Sequence, residues 1–287
     1  MTFIDFCRAH GLILDHVIDD GQWHRTKTID KTNKRNGAYK CIGQVGFVQN
    51  HATMTEVVTW KAEGVFDIAD YRARMKTAQK DSENDAKRAA KKASFMLSKS
   101  EVKEFAYCEM KGHKNIKINV LSQSDGTELG LIPMRVNGDL TSLQVLSYDS
   151  VNRAWRKTFL KNGITRGATF TIGSGSAVIL CEGFATGLSV FSACQSAKIS
   201  ATIHVCFSAQ NMVVVAQKIK PDLVIADNDL SQTGKKTAEK IGAPYWISST
   251  VGHDFNDDYM SRGLFAVSND LKRIFISAKS IRQISTC

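Results

Sequence analysis

The sequence predicts an α/β protein: a parallel sheet flanked by helices in the C-terminal half, preceded by a β-rich subdomain and a small N-terminal β module. Three observations lead there. From Ser176 onward, short continuous apolar runs (AVIL, IHVCF, DLVIA, YWIS) alternate with helical stretches (ATGLSVFSACQSA, AQNMVVVAQKIK, GKKTAEKIG), the mark of parallel strands covered on both faces. From about 113 to 172 come alternating pieces, NIKINVLS, LGLIPMRV, LTSLQVLS and ATFTIG, broken by Asp-Gly, Asn-Gly and Gly turns, which read as antiparallel strands. Between the glycines at 64 and 112 there is neither Gly nor Pro, and the segment is rich in Ala, Lys, Glu and Arg, a helix-forming composition.

These signals order the chain. A basic β-rich module is expected over 1–64, a charged helical linker over 65–104 that runs through solvent between two domains, an α+β subdomain over 105–175, the parallel sheet over 176–265 and a helical, basic tail over 266–287. In the first module, GQWHRTKTIDKTNKRNGAYK holds six Lys or Arg against one Asp, with Trp23 and Tyr39 at its ends. Arg25, Lys34 and Arg35 are its candidates for nucleic-acid contact, the alternative being an ordinary solvated hairpin. In the β-rich subdomain Arg135, Arg153, Arg156, Lys157, Lys161 and Arg166 recur and could form one wall of a basic cleft.

Composition narrows the function classes. With 38 Lys plus Arg against 28 Asp plus Glu, the net charge is +10, which favours polyanionic partners. No run approaches the apolar length of a membrane span, and Asp5, Arg8 and His10 interrupt the N-terminal segment where a signal peptide needs its apolar core. A cytoplasmic protein without membrane contact is expected. The seven cysteines, at 7, 41, 108, 181, 194, 206 and 287, are scattered and form no CxxC pair. They are expected to be reduced, and no zinc site is expected.

In parallel α/β sheets ligands bind beyond the strand C-terminal ends. Glu182 follows AVILC, Asp227-Asn228-Asp229 follow DLVIA, and His253, Asp254, Asn256, Asp257 and Asp258 follow YWISSTVG. Three strands thus deliver carboxylates to one edge of a basic protein. Asp227 and Asp229, two apart on an extended backbone, can both reach one hard cation, best magnesium, with manganese as the alternative. Glu182 could add a ligand or serve as general base, its pKa raised by crowding. Gly183 and Gly187 would leave room for a nucleotide or phosphate at the start of the next helix. This is no P-loop: TGKKT, at 233–237, has Asp229 in place of the first glycine and Lys236 in place of Ser or Thr. GxGxxG is absent too, which disfavours a dinucleotide cofactor.

Glu182-Gly183, Asp227-x-Asp229, the Gly-Lys-Lys-x-Ala helix and His253-Asp254-Phe255-Asn256-Asp257 together resemble the Toprim domain of primases, topoisomerases and some nucleases. CEGFATGLSV, CFSAQNM and DFNDDY look most like the primases of phages and conjugative plasmids, and LGLIPMRVNGDLTSLQVLS looks like the subdomain that precedes Toprim there. The resemblance is strong from about 105 to 265. GQWHRTKT and KRNGAYKCIG look like the DNA-binding module that is a zinc ribbon in many relatives, but the ligand cysteines are missing.

The resemblance implies a Rossmann-like parallel sheet with Glu182 as catalytic acid or base, Asp227 and Asp229 as catalytic magnesium ligands, and Asp254 as a further metal or network carboxylate. It places Lys235 and Lys236 near phosphates, unless they are plain helix-surface residues, and Arg135 on template or nucleotide. Asn256 and Asp257 would cap a helix or touch metal; Gln210 and Asn211 would line the site. Trp23, Tyr39 or Trp155 could stack bases. The implied activity is that of a DNA primase joining ribonucleoside triphosphates on a single-stranded DNA template. No helicase motor is seen before the chain runs out at Cys287, so a separate replicative helicase is expected. The competing readings are a Toprim nuclease and a non-catalytic single-strand-binding accessory; a topoisomerase would need a tyrosine-bearing gate domain for which this chain is expected to be too short.

Overall fold

The computed structural model describes residues 1–284 apart from Thr55 and Val65, with side chains to residue 277. The last three residues of the expected tail, with Cys287, lie outside the described residues. Contacts divide the chain into two compact units, Met1–Asp85 and Ala86–Cys287.

The first unit holds α1 (Phe3–Ala9), β1 (Leu12–Ile13), β2 (His24–Thr28), β3 (Gly37–Ile42), β4 (Val45–Asn50) and β5 (Val58–Lys61), and the start of α2 (Ile68–Ser98). The strands form one antiparallel meander in sequence order. Alternation sends Tyr39, Cys41 and Val48 inward to meet Phe3, Cys7 and Leu12, as period-two patterning requires. Ile42 and Val45 instead pack with Ala78 of α2. Trp23 is half exposed, and Arg25 and Lys27 point outward from β2. Tyr39 is buried.

In the second unit α2 continues and packs Ala93 against Leu131 and Leu143. The expected linker is therefore not a helix bare to solvent, since it buries small residues wherever it meets a sheet. It also ends early. Ser98 and Ser100 donate hydroxyl bonds back to the Phe95 and Leu97 carbonyls, and Glu101–Glu104 forms a strand, β6, instead of helix. A helix-favouring composition yields there because the segment pairs with β7 (Lys117–Ser122) and Lys103 bridges to Glu128 at 2.6 Å, a tertiary override of local propensity. After α3 (Ala106–Met110), β7, β8 (Glu128–Val136), β9 (Asp139–Asp149) and β10 (Ala154–Phe159) complete an antiparallel sheet of order β10-β9-β8-β7-β6.

The last sheet has the order β11-β13-β12-β14-β15, built from β11 (Phe170–Ile172), β12 (Ala177–Cys181), β13 (Ala201–Val205), β14 (Leu223–Ala226) and β15 (Tyr245–Ile247). β12 to β15 are parallel, as the apolar runs predict. ATFTIG does not stay with the antiparallel subdomain: β11 joins this sheet as an antiparallel edge on β13. Residues Ile179, Cys181, Ile203 and Val205 pack one face under α4 (Phe184–Ser196) and α8 (Leu264–Ile284). Leu180, Val224 and Ala226 pack the other under α5 (Ala209–Ala216) and α6 (Thr233–Ile241). α7 (Phe255–Arg262) follows β15. Six cysteines, at 7, 41, 108, 181, 194 and 206, are free and buried. No helix of the described residues is long and apolar enough to cross a membrane.

Candidate active site

Each carboxylate at the sheet edge is held by local backbone chemistry. Glu182 follows Cys181, the last residue of β12; its carbonyl accepts from Phe207 N–H at 2.8 Å and the Cys181 carbonyl from Cys206 N–H at 2.8 Å. The Ala209 amide at the start of α5 acts on its carboxylate and favours the charged form. Asp229 bends the chain into α6: its Oδ1 accepts from the Ser231 hydroxyl at 2.6 Å and Thr233 N–H at 3.1 Å. Asp254 is the N-cap of α7. It accepts from Asp257 N–H at 2.9 Å, while Asp257 accepts from Asp254 N–H at 3.0 Å, a reciprocal capping box. Asp257 is thus committed to the helix end.

What brings Asp254 to the same edge is a seam between two loops. Asn228 N–H donates to the His253 carbonyl at 3.0 Å, Gly252 N–H to the Asn228 carbonyl at 2.6 Å, and Asn228 Nδ2 to the Ser248 carbonyl at 3.0 Å. Asp258, fully buried, secures the second loop by accepting from the Ser248 hydroxyl and from Arg262, with His253 Nδ1 at 3.0 Å.

The carboxylates feel one another. Burial, then the Asp229 charge, raises the Glu182 pKa; Lys157 and the Ala209 N–H oppose the rise, and Asp254 adds to it. Burial, then Glu182, Asp254 and Asp229, push Asp227 up to about 7. Burial also acts upward on Asp229, but the bonds from Ser231, Thr233 and Gly234 outweigh it and hold Asp229 below the ordinary carboxylate value. Asp227 Oδ1 is buried and has no hydrogen-bond partner. An unpartnered buried carboxylate oxygen among other carboxylates fits a hard cation, which would supply the missing partner and cancel the repulsion. In their present positions no three ligating side chains of the described residues are gathered closely enough to hold a metal ion.

The remaining expected residues divide. Gly183 is the N-cap of α4, and a β-carbon there would meet only the Thr186 hydroxyl at 3.4 Å, so the backbone stays open. Gly187 does not open space for a ligand. It is buried in α4, where a β-carbon would press on Val205 at 2.6 Å and Ile172 at 3.2 Å, so its role is close helix-to-sheet packing. Lys235 and Lys236 are exposed on α6, Lys235 facing Glu239 at 3.9 Å. Asn211 is no site lining: buried, it accepts from Gly167 N–H and donates to the Ala168 and Cys206 carbonyls, while Gln210 is exposed. Asn256 is buried and donates to the Lys111 carbonyl and Ser189. Arg135 lies on β8 beside the turn to β9, its Nη1 on the Gly138 carbonyl. Trp155 is ringed by Phe105, Tyr107 and Tyr148. Arg25, Lys34 and Arg35 are exposed in the first unit.

Two residues that the sequence offered only within longer series, without a role of their own, bear on these carboxylates. Lys157 of β10 is the cation that acts on both Glu182 and Asp227, its ammonium 5.8 Å over the Tyr107 ring. It stood in the sequence as one of six scattered basic residues. Gly234 lets the first turn of α6 rest on the Asp227 backbone, with no room for a side chain.

Residues 177–264 match the family model described as the Toprim domain. The match runs from the first residue of β12 to the first of α8 and includes all four carboxylates. No curated protein and no solved structure matches the chain.

Proposed function

Because residues 177–264 are a Toprim domain, we propose that the protein is a DNA primase of the phage or conjugative-plasmid type, a nucleotidyltransferase that makes short RNA primers on single-stranded DNA. The observation that carries this is the coupled set Glu182, Asp227 and Asp229, in which the buried Asp227 Oδ1 is left without a partner. In primer synthesis the 3′-hydroxyl of one nucleotide attacks the α-phosphate of the next and pyrophosphate leaves. Asp227 and Asp229 would hold magnesium, with Glu182 beside them and Asp254 closing the set. Magnesium supplies charge neutralisation on the phosphates and a more acidic hydroxyl. Glu182, its backbone held just after β12 by the Phe207 N–H, exchanges the hydroxyl proton. Lys157, on β10, acts electrostatically on the same carboxylates and takes the triphosphate. Gly183 leaves the start of α4 open to it.

Template contact is assigned to the N-terminal sheet, where Trp23 is half exposed and Arg25 and Lys27 point outward beside the loop of Lys34 and Arg35. A separate replicative helicase would open the duplex. The test is to incubate the protein with single-stranded DNA, magnesium and labelled ribonucleoside triphosphates. Short labelled RNA that disappears with Asp227→Ala is the expected result. Template cleavage would instead make it a Toprim nuclease, and binding without either reaction would make it an accessory protein.

A further inference from the structure

Phe207, two residues beyond β13, stands in the left-handed backbone region at φ 66°. The other non-glycine residues found there, among the described residues, are Asn, Arg, Lys or Gln; Phe207 is the apolar exception, and it is buried. A β-carbon makes that conformation costly, and a bulky side chain keeps it only where its surroundings hold it. The turn itself is used. It puts Phe207 N–H on the Glu182 carbonyl at 2.8 Å and starts α5 at Ser208, whose hydroxyl accepts from Asn211 N–H at 3.2 Å. Glycine would make the same turn without strain, so the phenyl ring has a use of its own.

The partner of that ring is Phe159, with centroids 6.1 Å apart and the planes at 88°, the edge-to-face geometry that aromatic pairs prefer. Phe159 is the last residue of β10, an edge strand hydrogen-bonded to β9. Trp155, Lys157 and Phe159, two apart along it, share one face. On that face Trp155 and Lys157 both meet Tyr107, while Phe159 meets Phe207. The ring contacts of Trp155 are with Phe105, Tyr107 and Tyr148, all within the antiparallel subdomain. The Phe159–Phe207 pair is therefore the aromatic tie from this face of β10 to the turn that holds the Glu182 backbone. Phe159 is 44% exposed, so the tie lies at the surface and adds little to the core.

We propose that Phe207 and Phe159 are positioning residues: their ring pair holds the Lys157-bearing face of β10 at the carboxylate edge, so that one contact sets both the cation and the Glu182 backbone. Lys157 is exposed, and its charge acts on Glu182 and Asp227. A long, flexible side chain on an edge strand delivers its charge over a wide arc unless the strand is fixed. Phe207 fixes it, and this use of the ring offsets the strain of its backbone. The proposal rests on the reading of Lys157 as the cation that takes the triphosphate, and supplies what keeps that cation in place.

The test uses the full chain, metal-free, with its lysines reductively methylated by carbon-13 formaldehyde. The Lys157 methyl resonance, assigned by its loss in Lys157→Arg, comes from a group over the Tyr107 ring. It is expected to move toward the other lysine resonances in Phe207→Gly, where the turn is kept and the ring is lost. In primer synthesis Phe159→Ala, at a half-exposed ring, is expected to melt close to wild type and lower kcat/KM for nucleotide by roughly fivefold. That loss should vanish on top of Lys157→Gln and be rescued by Phe159→Tyr, which keeps the edge contact. A Lys157 resonance that stays in place in Phe207→Gly overturns the proposal, whether or not the chain makes primers. So does a Phe159→Ala loss that multiplies with that of Lys157→Gln, the result of a merely structural ring. A wild type that makes no primer retires the primase reading alone, and the resonance still decides what holds Lys157.

Discussion

The first turn of α6 rests directly on the backbone of Asp227 because residue 234 is glycine: a β-carbon there would overlap the Asp227 carbonyl oxygen and stand 2.9 Å from its amide nitrogen. The backbone of a buried carboxylate is thus positioned by the absence of a side chain. Gly234→Ala must push α6 away or shift Asp227, at a cost of about 1–3 kcal/mol. Its melting temperature is expected to fall by several degrees, with magnesium-dependent activity falling at least tenfold; parallel melts and activity assays check both.

Asp227 makes the metal-free fold sensitive to pH. Its pKa in the folded state, about 7, lies above the ordinary 3.8, so the folded protein holds a proton that the unfolded chain has released. This contribution is fully present below pH 3.8 and is lost as pH rises through about 7. Asp227→Asn removes the repulsion and is expected to stabilise the metal-free protein at pH 8 by on the order of 2 kcal/mol. Magnesium should raise the melting temperature of wild type and leave the variant unmoved, as calorimetry with and without EDTA would show.

His113 gives the opposite dependence. Burial lowers its pKa from 6.5 to about 4, where it meets Ser189 at 3.0 Å and stacks on Tyr259. The unfolded chain takes up a proton first, so stability present above pH 6.5 is lost as pH falls toward 4. Denaturant unfolding across that window should show a shallower pH slope in His113→Gln than in wild type, even where the variant is less stable at pH 7.

Lys157 is exposed, so its loss should spare the fold while removing a cation whose charge acts on Glu182 and Asp227. Lys157→Gln is expected to lower kcat/KM for nucleotide by about 10–100-fold, with Lys157→Arg partly restoring it. Steady-state kinetics at saturating magnesium check this.

Trp23→Ala and Arg25→Ala are both expected to weaken single-stranded DNA binding. Loss of a stacking aromatic costs about 1–3 kcal/mol, and loss of a phosphate contact reduces the salt dependence as well. Fluorescence anisotropy of a labelled oligonucleotide across a salt series separates the two.

The parallel strands were legible because each is a continuous apolar run, and the carboxylates because strand ends in such a sheet share an edge. Other features depend on partners far away in sequence. FTI at 170–172 alternates like any antiparallel strand, and only its pairing with β13 assigns it to the parallel sheet. SEVKE has a helical composition, and its strand exists because β7 lies beside it. Gly187 and Gly183 look alike in CEGFATGLSV, yet one packs on Val205 and Ile172 while the other stays open. In TGKKTAEK the lysines draw the eye, whereas the glycine before them makes the contact to Asp227.

The central claim is that Glu182, Asp227 and Asp229 act as one metal-dependent centre. Isothermal titration of magnesium into wild type, Asp227→Asn and Glu182→Gln tests it most directly. A saturable site in wild type that is lost in Asp227→Asn and weakened in Glu182→Gln is the predicted result. Equal magnesium binding by all three proteins would contradict it.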